Sequence, residues 1–272
     1  IIDSESAHRD LRGIADYLLL HDRRIANRCD DSVIRLLDGK PTFIRRSRGY
    51  VPSPVSVPVR NPKDVAVIAY GAELRSAAAI LKGSKCYPTQ YVGDCDTLET
   101  LDFLESAVDR FAGYLSVTSD QAVIACDLHP NYLSSRLASM ISQQKSCPLI
   151  RVQHHHAHIT SVMAENGVKE PVVGIAVDGL GYGPDGTVWG GEVLEVSYRD
   201  FKRVGHLEPL PMPGGDLCTK NPVRMLVAGL ARSMSSDEIR DLLPKGAMSH
   251  LGSNDLQKLV STSKDSGVLL TS

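Results

Sequence analysis

Four histidines fall within five positions in Ile150-Arg-Val-Gln-His-His-His-Ala-His-Ile-Thr160. A helix opened by Gln153 or His154 has a natural stop at Gly167, because glycine accepts the left-handed conformation that ends helices. On such a helix His154 and His158 lie four residues apart, so both imidazoles leave one face and can grip a single metal ion. The helical zinc-protease motif uses the same pair, but the glutamate that it needs is absent here. His155 and His158, three apart, form a rival pair. The next apolar strand, Val172 to Val177, ends at Asp178-Gly-Leu-Gly-Tyr-Gly183. Asp178 would complete a His/His/Asp site suited to zinc or iron, with coordination positions left open.

Other residues have the types needed to hold phosphate. Gly179, Gly181 and Gly183 at a strand end would let the backbone approach a phosphate group, although an ordinary hairpin turn explains the same glycines. The spacing is not that of a dinucleotide fingerprint. Trp189-Gly190-Gly191-Glu192 and Pro211-Met-Pro-Gly214-Gly215-Asp216 are two more tight glycine pairs, read as lining a cleft, with Lys220 and Arg224 close behind. Arg45, Arg46 and Arg48 put three guanidinium groups within four residues, suited to bidentate contact with phosphate or carboxylate and equally to a solvated basic loop.

The elements that must position these residues follow from pattern. Leu11 to Asp22 reads as a helix, and Val33–Leu37 with Thr42–Ile44 reads as a hairpin around Asp38-Gly39. The proline-rich stretch Val51 to Pro62 reads as a polyproline-type linker. Beyond it come strands at Val65–Ala69, Ser76–Lys82 and Cys86–Val92, then a helix over Leu98–Tyr114 capped from Asp94–Thr97. A buried strand Ala122–Cys126, a helix from Tyr132 to Ser142 and a strand Pro148–Val152 lead to the histidine helix. Strands then restart at Val172–Val177, Thr187–Val196 and Phe201–Leu207. A βββ block, an αβαβα run and a second βββ block outline a duplicated α/β fold of the actin, sugar-kinase and Hsp70 kind.

At 272 residues the chain can bury a real core. Its formal net charge of -2 gives no support to a nucleic-acid surface made by bulk charge. No apolar run approaches the roughly 20 residues that span a bilayer, which argues against a membrane partner. The six cysteines are scattered without a CxxC pair and read as reduced thiols of a cytoplasmic protein. Ile1 is not a start methionine and the chain stops at Val268-Leu-Leu-Thr-Ser272, so a fragment of a longer protein is expected.

Taken in order, the motifs resemble the HypF family, the carbamoyltransferases of nickel–iron hydrogenase maturation. They are Arg28-Cys-Asp-Asp-Ser-Val33, Arg45-Arg-Ser-Arg-Gly-Tyr-Val-Pro52, Gly71-Ala-Glu73, Gly93-Asp94 and Cys126-Asp-Leu-His-Pro130. Val152-Gln-His-His-His-Ala-His-Ile159, Met163-Ala-Glu-Asn-Gly167, Asp178 to Gly183, Trp189 to Glu192 and Leu210 to Asp216 follow. The resemblance implies residues 1–55 as the closing part of a YrdC-like domain and 56–62 as a linker. Residues 63–272 would be a truncated actin-like (ASKHA, ribonuclease H-like) carbamoyltransferase domain, with subdomains at about 63–170 and 171–272. It places His154, His158 and Asp178 on the family's metal positions. His155 and His156 then read as cleft or surface residues, and Cys126 as packing.

The activity so implied uses ATP, Mg2+ and carbamoyl phosphate to make carbamoyl-adenylate. The carbamoyl group then passes to the C-terminal cysteine of a HypE-type partner, as precursor of the cyanide ligands on iron, and no nucleic acid takes part. The acylphosphatase-like domain, the zinc fingers and the front of the YrdC-like domain have no counterpart here, nor have the second Gly-Gly nucleotide loop and the last metal-binding aspartate. A three-ligand metal site is therefore expected. An O-carbamoyltransferase, a threonylcarbamoyl tRNA-modifying relative and a non-catalytic metal- and nucleotide-binding module are the alternatives on this architecture.

Overall fold

A computed structural model of the chain describes residues 3–62, 65–215, 217–244, 246, 253–264 and 270–271. Contacts divide it into two compact units: 1–56 with 60–126 and 132–149, and 57–59 with 127–131 and 150–272.

In the first unit, the N-terminal helix α1 is Ser4–Asp10, set by Asp3, whose carboxylate accepts the Ser6 N–H at 2.7 Å. The helix expected over Leu11–Asp22 does not form. Its apolar residues find nothing to pack against, and Ile14, Tyr17 and Leu19 are 78%, 94% and 102% exposed. The expected hairpin is present as β1 (Val33–Leu37) and β2 (Lys40–Arg45). Asp38 and Gly39 both have positive φ, 50° and 76°, the requirement of a two-residue turn whose twist matches the strands. Within the stretch read as a linker, Val55–Ser56 forms the short strand β3 and pairs with Cys86 and Lys85, so those two residues are part of a sheet.

That sheet has six strands in the order β3-β6-β5-β4-β7-β8. β4 (Ala66–Ala69), β5 (Ala79–Lys82) and β6 (Lys85–Pro88) form an antiparallel meander, shorter at Ser76 and Val92 than the apolar pattern suggested. β7 (Ala122–Asp127) lies parallel to β4. Helix α2 (Leu98–Tyr114) starts with a capping box between Thr97 and Thr100 and buries Leu104, Ala107, Val108 and Phe111. Those positions have the i, i+3, i+4, i+7 spacing of a single helix face. Leu104, Val108 and Phe111 join Ile68, Ile80, Ile124 and Cys126 in one core. Helix α3 is Leu133–Lys145, and β8 is Leu149–Val152.

In the second unit helix α4 is His154–Glu165, and Gly167 follows its end at φ +67°. Strands β9 (Val172–Tyr182), β10 (Val188–Val196) and β11 (Phe201–His206) form a second antiparallel meander. α4 packs Ile159 and Met163 on Ala176, Leu194 and Val196. Gly174 makes that approach possible, because a Cβ there would lie 2.5 Å from the Ile159 side chain. The other face of β9 carries Val173, Ile175 and Val177 in exposed positions. A helical layer follows, in which Val227, Ile239 and Leu256 are buried together. No helix among the described residues is long and apolar enough to cross a membrane.

Candidate metal centre

The site is built at the first turn of α4. Gln153 is the N-cap: its side-chain oxygen accepts the His156 N–H at 2.8 Å, and its amide donates toward His155 Nδ1 (3.1 Å) and the Tyr182 carbonyl (3.3 Å). With the helix start held in this way, His154 and His158 project from one face. His154 Nε2 lies 2.9 Å from Asp178 Oδ2 and 3.1 Å from His158 Nε2, and His158 Nε2 lies 3.4 Å from the same carboxylate oxygen. Metal bonds of about 2.0–2.1 Å at tetrahedral angles need ligand atoms about 3.3 Å apart. The triangle therefore fits around one ion, and two imidazoles with one carboxylate are a donor set for zinc or iron. Among the described residues this is the group of His, Cys, Asp and Glu whose ligand atoms gather within 4.8 Å. The rival pair is excluded by direction, since His155 is buried against β9 and β10.

A fourth residue joins the cluster that spacing alone did not reveal. Asp127, the last residue of β7, places Oδ2 2.6 Å from His154 Nδ1. Burial works against a charged His154, but the hydrogen bonds and charge of Asp127 and Asp178 outweigh it and raise its pKa to about 9. Hydrogen bonds from His154 and His158 hold the Asp178 carboxyl far below the usual carboxylate range. Protons thus compete for the ligand atoms, and a metal entering at neutral pH must displace one from His154.

The neighbouring histidines are structural. His155 and His156 are buried, not cleft or surface residues. His156 Nε2 donates to the Ser197 carbonyl at 2.8 Å. His155 stacks on Trp189 with an interplanar angle of 14°.

The glycine-rich segment is strand and not a terminal turn, because β9 continues through Asp178 to Tyr182, although its register with β10 shifts between Val177 and Gly181. A Cβ on Gly181 would lie 2.5 Å from the His155 ring, one on Gly183 would lie 2.3 Å from Trp189 Nε1, and one on Gly191 would lie 2.4 Å from Leu207. Gly179 differs, with nothing within 4 Å of that position. Gly181→Ala should therefore push the His155 ring and the first turn of α4 out of place. The expected result is a loss of zinc affinity of at least about tenfold, read by chelator competition, whereas Gly179→Ala should keep the affinity of the wild type.

Gly190 N–H donates to Glu192 Oε1 at 3.2 Å, and Glu192 forms a buried ion pair with Arg203. Gly214 and Gly215 have positive φ of 92° and 56° in the segment after β12 (Leu210–Pro211), while Asp216 lies outside the described residues. In the first unit Arg46 donates to the Tyr50 and Ser53 carbonyls, Arg48 to the Cys29 carbonyl and to Asp31, and Arg45 lies over the Tyr91 ring.

Antiparallel three-strand meanders in each unit, a parallel strand beside the first, and a His/His/Asp cluster at a helix start define an actin-like α/β protein whose clustered side chains could hold a metal ion. Residues 62–165 match the family described as "HypF Kae1-like domain", and 174–271 match "Carbamoyltransferase, Kae1-like Domain, second subdomain". The chain belongs to the HypF carbamoyltransferase family. It is 42% identical over 235 residues to a probable carbamoyltransferase HypF of Methanocaldococcus jannaschii, covering 86% of this chain and 30% of that protein. It is 41% identical over 249 residues to carbamoyltransferase HypF2 of Cupriavidus necator, covering 90% and 30%. The crystal structure of T. kodakarensis HypF superposes with a TM-score of 0.89 at 41% identity, covering 100% of this chain and 36% of that one. A full-length HypF in a phosphate- and nucleotide-bound form gives 0.85 at 34% identity, covering 99% and 41%. The chain thus spans about a third of the length of the relatives it matches.

Proposed function

We propose that this chain carries the carbamoyl-transfer site of a HypF-type enzyme. In this reading it holds carbamoyl-adenylate, made from carbamoyl phosphate and ATP with Mg2+, and presents it to the C-terminal cysteine of a HypE-type partner in the cytoplasm. Residues 1–55 are the end of a YrdC-like domain, and 63–272 belong to the actin-like domain. Six free cysteines suit a reducing compartment.

The observation that carries the reading is the His154/His158/Asp178 triangle at the edge of a cavity of about 710 Å3 in the second unit. Asp178 and Gly179 line that cavity together with Leu210, Met212, Cys218 and Met225. The apolar wall suits a nucleobase, and the bare backbone at Gly179 admits a phosphate close to the metal ligands. The relative solved with phosphate and nucleotide supports a nucleotide here. When bound, zinc or iron supplies Lewis-acid polarisation of the carbamoyl or phosphate oxygen. Mg2+ prefers oxygen ligands and would arrive with the ATP phosphates. His154, His158 and Asp178 orient the group to be transferred, and the attacking thiolate comes from the partner, so no cysteine of this chain is needed. Arg45, Arg46 and Arg48 would serve phosphates in the adenylation step.

The test supplies the protein with ATP, Mg2+, carbamoyl phosphate and a HypE-type partner, and reads the mass of the partner's C-terminal peptide. A carbamoyl increment that disappears in Asp178→Ala is the expected result. An increment that survives this change would sink the reading. Carbamoylation of a small-molecule hydroxyl without any partner would point to an O-carbamoyltransferase, and nucleotide binding without carbamoyl-phosphate-dependent pyrophosphate exchange to a docking module.

A further inference from the structure

We infer that Asp127 is a positioning residue of the metal centre: it fixes the tautomer of His154 so that Nε2, the nitrogen facing Asp178 and His158, is the one free to ligate. The inference rests on the metal reading above. Both carboxylates can only accept, so Asp127 and Asp178 each draw a proton from the ring; the shorter contact, 2.6 Å against 2.9 Å, and the deeper burial of Asp127, 7% exposed against 35%, hold the proton on His154 Nδ1, so that the one given up is the one on Nε2. Both partners are shielded: the Asp127 side chain is 7% exposed and that of His154 is 13%. Asp127 is itself held, because its Oδ1 accepts the His129 N–H at 2.8 Å in the turn after β7. One carboxylate oxygen thus accepts from the turn and the other from the imidazole. Left to water, a neutral imidazole populates both tautomers, and one of them puts a proton where a metal must bind. A negative charge behind the ring also makes Nε2 a better donor to a cation. Asp127 and Asp178 thus divide the work, one behind the imidazole and one beside its ligating nitrogen, although the residues are 51 positions apart in the sequence.

The test uses the full chain and needs no catalytic assay. Zinc affinity is measured by chelator competition for the wild type, Asp127→Asn and Asp127→Ala, and the His154 ring nitrogens of the metal-free neutral chain are read by 15N NMR at high pH. Asparagine can still accept the His129 N–H and keep the turn, so Asp127→Asn removes the charge with little change in shape. The expected result is a loss of about 10–100-fold in zinc affinity, with His154 shifting from the Nδ1–H tautomer to a mixture. Wild-type zinc affinity in both variants would overturn the role of Asp127 and leave the metal centre standing. A weaker site with an unaltered tautomer would also overturn it, since a purely structural loss leaves the ring protonated on Nδ1. A wild-type chain that takes up no zinc or iron would sink the metal centre itself.

Discussion

His154→Ala and Asp178→Ala should each leave a chain that retains less than about a tenth of the zinc or iron bound by the wild type, which itself should hold about one ion per chain. Each change removes one corner of a triangle whose sides are 2.9, 3.1 and 3.4 Å, and two remaining ligands cannot hold an ion against water and buffer. Elemental analysis after gel filtration reads the outcome directly. His8→Ala is the control, as an exposed histidine far along the chain from the cluster. The two active variants should differ in what they leave behind. Without His154, Asp178 loses its principal hydrogen-bond partner and its carboxyl returns toward ordinary values. Without Asp178, His154 keeps Asp127, so its pKa should fall but stay raised. Unchanged metal content in both variants would remove the site assignment.

How far the sequence reveals this site depends on whether a contact is local. His154 and His158 are legible because four residues of helix define their separation, and the Gln153 cap and Gly167 stop sit where helix chemistry puts them. Asp178 is legible because it lies on the next strand in a recognisable order. Asp127 is not, since only the tertiary fold brings the end of β7 to the back of His154. The glycines mislead for the opposite reason. Gly181 and Gly183 have the composition of a phosphate-binding turn, yet they are small because His155, Trp189 and Asp185 occupy the space of a side chain. Helical spacing over Leu11–Asp22 misleads too, because periodicity predicts a helix only where a surface waits to cover it. Glu192 belongs with these. A glutamate after two glycines reads as cleft chemistry, and its partner Arg203 reaches it only through the irregular register between β10 and β11.

That pair carries the largest expected effect on stability. Glu192 is fully buried, and Arg203 grips it with two hydrogen bonds, Nε to Oε2 at 2.5 Å and Nη2 to Oε1 at 2.9 Å. The guanidinium also lies 4.2 Å over the Trp189 ring, on which His155 stacks beside the metal ligand His154. Arg203→Ala should cost about 3–5 kcal/mol, because it leaves a carboxylate in a dry interior without its counter-charge. Glu192→Ala should cost less, since the Arg203 side chain is 24% exposed and its guanidinium can turn toward water. Replacing both, as Glu192→Leu with Arg203→Met, should recover most of the loss, because two apolar side chains need no pairing. Trp189 is the single tryptophan of the chain and is buried beside the pair, so urea unfolding followed by its fluorescence reports the second unit alone. A cost below about 1 kcal/mol for Arg203→Ala would mean that Glu192 either reaches water or folds as the neutral acid. In that case the ion pair would be a consequence of the β10–β11 register, and the packing of Leu194 and Val196 on Ile159 and Met163 would have to hold the sheet to α4 by itself.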